Sequence, residues 1–200
     1  MVSKTMAVSC SRISSPQAPG ECLYGKKPAE DRMPPKPSDY RSSPLYFQRY
    51  IAVDPGRKGA VAVLDACGEL IRLEDAGSAK ALGAGAVSQV IREESTHGRL
   101  AVAIERPLAF RIDNAASLVT LSLAAGGAYG AAVALGASVE FPTAAIWKRS
   151  LGVTADKTTS RTRARELFGD AIPSKCRIDR CEAALIAYWL LRKYQNFLAV

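Results

Sequence analysis

Four acidic residues are spaced so that their side chains could act on one substrate group. Asp54 ends a short apolar run, Glu105 ends another, and Asp179 and Glu182 stand three residues apart at the start of a third apolar segment. Positions i and i+3 share one face of a helix, so the last two carboxylates can point to one place. Converging carboxylates repel one another, and a hard divalent cation relieves that repulsion.

Magnesium is the cation that an all-carboxylate set predicts, and manganese is expected to substitute for it. Magnesium takes carboxylate and water oxygens and keeps positions open for a phosphate. A pair of such ions can activate a water on one side of a phosphodiester and stabilise the leaving oxygen on the other. No cysteine–histidine set competes for this role, because the five cysteines form no C-x-x-C pair and the one histidine, His97, falls on an expected loop.

Each carboxylate also has an ordinary structural explanation. Asp54 precedes Pro-Gly and could begin a turn. Glu105 could pair with the neighbouring Arg106, and Asp179 could be an acid that the helix dipole favours at an N-terminus. These explanations serve each residue singly, but they do not account for all the acids standing together at strand ends and a helix start.

Hydrophobic patterning predicts the elements that must position these side chains. Apolar runs joined by glycine-containing turns predict three antiparallel strands, at 50–54, 60–65 and 69–74. Later patterns predict strands at 100–105 and 137–141 and helices at 78–94, 114–135 and 178–194, with a further helix that ends at 168 and is capped by Thr154 or Asp156. This order predicts an α/β fold, a mixed five-stranded sheet with helices on both faces. If the first and fourth strands are parallel neighbours, Asp54 and Glu105 emerge side by side.

The first 47 residues differ in kind from the domain predicted at 48–200. Seven of the 11 prolines fall within residues 1–44, mixed with serine, lysine and arginine and without hydrophobic periodicity. Such a segment cannot bury enough surface to offset its ordering entropy. We therefore expect a disordered basic arm followed by one folded domain.

Charge and composition narrow the partners. The net charge of +8 favours an acidic partner, of which nucleic acid is the commonest. Unpaired cysteine spacing favours a reducing compartment. Small residues and glycines interrupt the most apolar stretch, 115–135, so no membrane-spanning segment is expected.

The motifs resemble those of the RuvC family of Holliday junction resolvases, in the ribonuclease H-like superfamily. The similarity covers about residues 50–191 and is carried by AVDPGRKGAVAVLD at 52–65, AIERP at 103–107, WKRSLGVTADKTTSRTRARELFG at 147–169 and DRCEAALIAYWLL at 179–191. It implies the ribonuclease H-like topology and a catalytic, metal-binding set of Asp54, Glu105, Asp179 and Glu182. Bacterial members usually carry aspartate at the position of Glu182, and a longer side chain there can still reach a metal.

The resemblance also implies an activity and partners. It predicts a magnesium-dependent endonuclease that resolves four-way DNA junctions in recombination and repair. A homodimer making two symmetric nicks would match the two-fold character of the junction. Bacterial or phage relatives would place the protein in the cytoplasm, and organellar relatives would place it in an organelle.

Basic side chains near the acids are expected to contact DNA. Segment 147–180 carries nine lysines and arginines against four acids, a balance of +5. Lys148 and Lys157 match family positions that contact phosphate. Phe110, in the loop after Glu105, could stack on an unpaired base or simply pack in the core. The predicted DNA-binding residues are Arg57, Lys58, Phe110, Arg111, Lys148, Lys157 and Arg161.

Three other functions are open on the sequence. One is a different ribonuclease H-like nuclease, acting on RNA–DNA hybrids or in transposition. Another is an actin-like kinase, whose phosphate loop resembles DPGRKG at 54–59, but such kinases need two of these domains. The third is a DNA-binding module with an inert pocket, which would have no need to keep all four acids.

Overall fold

A computed structural model describes residues 46–56, 58–77, 84–108 and 115–198 of the chain. The strands are β1 Arg49–Asp54, β2 Ala60–Asp65, β3 Leu70–Glu74, β4 Leu100–Ile104 and β5 Ser138–Glu140. The helices are α1 Ala84–Ser95, α2 Ala115–Ala134, α3 Ala144–Ser150, α4 Lys157–Phe168 and α5 Ile178–Leu198, with a 3-10 turn at Gly169–Ala171.

The five strands form one mixed sheet in the order β3-β2-β1-β4-β5. β1 pairs antiparallel with β2 and parallel with β4, and β4 is parallel to β5. The register pairs Val53 with Ile104, so the next residues, Asp54 and Glu105, leave neighbouring strands side by side. The predicted fold class and the predicted neighbourhood of these two acids are both confirmed.

Alternate residues of the central strands face different helices. One face packs against α5 and carries Tyr50, Ala52, Ala60, Ala62, Leu64, Ala101 and Ala103. The opposite face packs against α1 and α2 and carries Ile51, Val53, Val61, Val63, Val102 and Ile104. Because side chains alternate along a strand, Asp54 and Glu105 belong to the α5 face.

Small side chains explain why α5 can lie close to the sheet. Its buried alanines, Ala183, Ala184 and Ala187, pack in the same cluster as the strand alanines. Small residues on both surfaces let the helix and strand backbones approach each other closely. The first turns of α5, which carry Asp179 and Glu182, are thereby kept near the ends of β1 and β4.

Helix α2 packs on the other face of the sheet and leaves much of its apolar surface exposed. Only three of its side chains, Ala125, Ala128 and Ala132, are buried. The sequence-based expectation that no apolar segment is long enough to span a membrane was wrong on length and composition. Ala115–Ala134 has 20 residues. Its most apolar 18-residue stretch has a mean hydropathy of 1.4, and 17% of that stretch is buried. Such a helix also occurs in the cores of proteins that cross no membrane, so composition alone does not distinguish the two.

Two details of the sequence-based segmentation need correction. Helix α3 was not predicted, because seven residues are too few to show helical periodicity. Phe47 was assigned to the arm, yet it is 2% exposed and packs against Tyr50 and Tyr194. The folded domain therefore includes Phe47. Most of the predicted arm, residues 1–45, lies outside the described residues.

Candidate active site

The two strand-end acids are held by the sheet and by donors that include a backbone N–H and an indole. Asp54 is 8% exposed, and its Oδ1 accepts a 2.9 Å hydrogen bond from the Gly56 N–H. A Cβ added to Gly56 would come within 3.2 Å of that same oxygen, so glycine lets the turn close over the carboxylate. Glu105 continues the sheet, donating its backbone N–H to Val53 at 3.0 Å, and its Oε1 lies 3.3 Å from the Trp147 indole nitrogen.

The two acids of α5 are each paired with a cation. Arg177 donates from one guanidinium nitrogen to Asp179 at 2.7 Å and from the other to Asp75 at 2.6 Å. Lys148 Nζ lies 2.7 Å from Glu182 Oε1. The pattern predicted convergence of these acids and gave no indication of which side chains would neutralise them.

Asp54 is affected electrostatically by the other three acids. Burial raises the pKa of Asp54 well above its usual value. The negative charges of Glu105, Asp179 and Glu182 raise it further, while the Gly56 hydrogen bond acts in the opposite direction. The negative charges of the other three predicted acids are therefore all close enough to act on Asp54.

A cleft of about 250 Å³ opens at this cluster. Asp54, Glu105, Glu182 and Lys148 line it together with the segment after β4, residues 105–108. The cleft is therefore bounded by three of the four acids and by the basic side chains of Lys148 and Arg106.

Two solved structures are similar in fold to this chain. The Thermus thermophilus RuvC structure superposes with a TM-score of 0.56 at 20% identity, covering 74% of this chain and 96% of that one. T. thermophilus RuvC in complex with Holliday junction substrate gives a TM-score of 0.55 at 19% identity, covering 74% and 95%. The chain has the RuvC fold. No protein-family profile matches the sequence, and no curated protein matches it at a significant level.

The carboxylates of this site fit a divalent metal chemically. Carboxylate oxygens are the ligands that magnesium prefers, and the pKa of Asp54 is raised first by burial and then by the nearby negative charges, which a cation would neutralise. Among the described residues, no three potential ligand side chains stand close enough together to hold a metal as they are arranged. Glu182 and Asp179 instead form ion pairs with Lys148 and Arg177, respectively. Binding of a metal by all four acids therefore requires these two carboxylates to exchange partners.

The predicted DNA-binding residues divide into three groups. Lys148 lies in the cleft, bound to Glu182. Lys58 and Lys157 are exposed, whereas Arg161 is half-buried and donates from Nε to the Cys176 carbonyl at 3.2 Å. The remaining predicted contacts, Arg57, Phe110 and Arg111, lie outside the described residues.

Sequence reasoning missed three side chains that touch the acidic cluster or its partners. Trp147 is fully buried, and its indole nitrogen lies against Glu105. The Ser160 hydroxyl donates a hydrogen bond to Glu182 at 2.9 Å. Asp75 accepts hydrogen bonds from both Arg177 and Arg180. The sequence carries no signal for these contacts, because each joins residues at least 22 positions apart.

Proposed function

We propose that this protein is a metal-dependent endonuclease that resolves four-way DNA junctions. The observation that carries the proposal is the meeting of Asp54, Glu105, Asp179 and Glu182 at one end of a RuvC-type sheet, where burial and the charges of the other three acids raise the pKa of Asp54. Thermus RuvC has been solved with a Holliday junction substrate on the same fold. A shared fold alone does not fix a reaction, so the site chemistry supports the nuclease assignment and the neighbour supports the substrate.

Asp54, Glu105, Asp179 and Glu182 would hold the metal, with magnesium the expected ion and manganese a substitute. When bound, a divalent metal supplies positive charge for the phosphodiester oxygens and lowers the pKa of a bound water. The chain's own residues supply the positions. The parallel strands fix Asp54 and Glu105, and α5 presents Asp179 and Glu182 from the same face.

Lys148 is the basic side chain best placed to meet the scissile phosphate. It lines the cleft with the acids, and its ammonium lies 5.1 Å from the centre of the Trp147 ring. Exchange of Lys148 from Glu182 to a phosphate oxygen would leave Glu182 free for the metal. Lys157 and Lys58, both exposed, would contact phosphates farther along the DNA.

A homodimer is part of the proposal, and the outer surface of α2 supports it. Val119, Leu123, Tyr129 and Val133 are 44–57% exposed on this one helix. A second copy of the chain would cover this apolar surface, and two-fold symmetry would give two cleavage sites for two symmetric nicks. We place the protein in the cytoplasm or an organelle, where recombination and repair of DNA take place.

The competing assignment is a ribonuclease H-like nuclease that cuts RNA–DNA hybrids or acts in transposition. A substrate panel tests it: a four-way junction, an RNA–DNA hybrid and linear duplex of matched sequence are incubated with the full chain and magnesium. We expect paired nicks in the junction and little cleavage of the other two. Preferential cleavage of the hybrid would overturn the resolvase proposal.

Two controls make the panel specific. Reactions with EDTA should show no cleavage, and replacement of magnesium by manganese should restore it. An Asp54→Asn variant purified in the same way should not cut, which excludes a contaminating nuclease. Cleavage that survives both the chelator and the substitution would contradict the metal-dependent mechanism.

A further inference from the structure

Glu182 is fixed by two donors that lie on different helices. Lys148 on α3 lies 2.7 Å from Oε1, and Ser160 on α4 donates its hydroxyl to the same oxygen at 2.9 Å. The Ser160 side chain is fully buried, whereas Glu182 and Lys148 are 15% and 18% exposed. The serine therefore belongs to the packed interior, and the carboxylate reaches back to it from the edge of the cleft.

The burial of Ser160 gives its hydroxyl a defined role. A hydroxyl removed from water without a partner destabilises the folded protein, so a buried serine is expected to be hydrogen-bonded. Alanine would suit the purely apolar packing between α4 and α5, since Ala164, one turn along α4, is equally buried. The hydroxyl at position 160 thus provides a hydrogen bond that packing alone does not require.

The length of Glu182 makes such an anchor useful. Glutamate has one more rotatable bond than aspartate, so its carboxylate can occupy more positions. Both donors bind Oε1 of Glu182. Among the described contacts, Oε2 therefore stays available to a metal. A metal ligand works best when a hydrogen-bonded partner outside the site orients it.

We propose that Ser160 is a positioning residue that holds the Glu182 carboxylate in the acidic cluster and thereby strengthens metal binding there. This inference rests on the proposed function for its biological meaning, since it assumes that Glu182 is a metal ligand. Lys148 is expected to leave Glu182 when a metal arrives, because the two cations repel each other, or when a phosphate arrives, because its negative oxygens attract the ammonium. Ser160, which is neutral and buried, keeps its bond throughout.

The direct test is Mn²⁺ binding to the DNA-free full chain. Binding is measured by calorimetry or from the electron paramagnetic resonance signal of free Mn²⁺. We expect Ser160→Ala to weaken Mn²⁺ binding about 10-fold, the usual effect of losing a partner that orients a ligand. Ser160→Cys, which keeps the size but donates weakly, should fall between alanine and the wild type. Mn²⁺ affinity in Ser160→Ala equal to that of the wild type would overturn the proposal.

A double-mutant cycle separates positioning from general packing. In a Glu182→Ala background the carboxylate is gone, so adding Ser160→Ala should leave Mn²⁺ affinity unchanged. If Ser160→Ala weakens Mn²⁺ binding equally in both backgrounds, the hydroxyl acts through the fold and the proposal is wrong. Thr162→Ala is the matched control, since it removes an exposed hydroxyl of the same helix that bonds only to the Thr158 carbonyl among the described contacts.

Measuring Mn²⁺ affinity separately from cleavage keeps the positioning role of Ser160 distinguishable from the proposed resolvase function. A chain that cuts no junction, but whose Ser160→Ala variant binds Mn²⁺ more weakly than the wild type, would retain the positioning role and lose the resolvase assignment. A chain that cuts junctions, with Mn²⁺ affinity untouched by Ser160→Ala, would retain the function and lose the positioning role. Each variant should still show a cooperative thermal unfolding transition, which confirms that it is folded.

Discussion

The strand pair and the helix pair of the acidic cluster are held in different ways. Asp54 and Glu105 stand at the ends of parallel strands, with donors that include the Gly56 N–H and the Trp147 indole. Asp179 and Glu182 stand on α5, and each forms an ion pair, with Arg177 and Lys148 respectively. The backbone fixes the first pair, whereas side-chain cations neutralise the second.

This difference indicates a division of work within one site. Strand ends joined by backbone hydrogen bonds cannot adjust without disturbing the sheet, so Asp54 and Glu105 define where a metal can sit. Side-chain ion pairs can exchange partners, so Asp179 and Glu182 can change from holding a cationic side chain to holding a metal. We therefore expect the strand pair to tolerate little change and the helix pair to tolerate more.

The largest effect is expected from changing the length of the buried strand carboxylate. Asp54→Glu adds one methylene group to a side chain that is enclosed by the turn and the sheet, which displaces its oxygens from the cluster. We expect cleavage of a four-way junction to fall about 1,000-fold, as for the loss of several kcal/mol of metal-derived stabilisation. Single-turnover kinetics in magnesium measure this loss. Activity within 10-fold of the wild type would show that the strand pair is as adaptable as the helix pair.

The reciprocal change in the helix pair should have a smaller effect of another kind. Glu182→Asp removes one methylene group and with it the reach to Ser160 and Lys148, but it keeps a carboxylate. We expect the magnesium concentration for half-maximal cleavage to rise about 10-fold while the maximal rate changes little. A magnesium titration of the cleavage rate measures both. A lost maximal rate at saturating magnesium would mean that Glu182 is fixed as tightly as Asp54.

Lys148, the cationic partner of Glu182 in the cleft, and the exposed Lys157 should affect metal binding and DNA binding differently. Lys148→Met removes the ammonium that competes for Glu182, so Mn²⁺ should bind the DNA-free protein severalfold more tightly. Lys157→Ala should leave Mn²⁺ affinity unchanged and make the logarithmic salt dependence of junction binding shallower by about one unit. Calorimetry and a salt series of junction binding, made in calcium to prevent cleavage, test the two. If the two variants behaved identically in both assays, the distinction between Lys148, which is paired with Glu182, and the exposed Lys157 would be lost.

The smallest effect concerns the stability of the metal-free protein. The pKa of Asp54 is raised in the folded state, so the folded protein binds this proton more tightly than the unfolded chain does. The resulting stabilisation is present below the unfolded pKa and is lost as pH rises through the folded pKa. Asp54→Asn carries no such charge, so in EDTA it should melt a few degrees above the wild type at neutral pH, with the gap closing on acidification. A variant that melts lower at neutral pH would contradict the repulsion.

The sequence predicted the strand pair well because its placement follows from simple periodicities. Two apolar runs that each end in an acid, in strands that pair in parallel, bring Asp54 and Glu105 together. The spacing of Asp179 and Glu182 likewise needs only the helical repeat. The same reasoning predicted the sheet, and its errors concern boundaries, such as Phe47, and a helix too short to show a pattern.

The partners of the helix pair could not be predicted in this way. Ser160 meets Glu182 because α4 packs against α5, and Arg177 meets Asp75 across 102 positions of the chain. Such contacts depend on how helices pack, and a serine within a basic helix looks like any solvated residue. Lys148 was expected to contact phosphate, and its ion pair with Glu182 became visible only from the position of α3.

The alternation of side chains along β1 and β4 also limits how this domain can change over evolutionary time. An inserted or deleted residue in either strand, upstream of its acid, would rotate that acid to the opposite layer, among the valines and isoleucines that face α1 and α2. Substitutions can accumulate in these strands, whereas changes in length cannot. Divergent descendants of this domain should therefore vary in length only in the connections between elements, however little of the sequence they share.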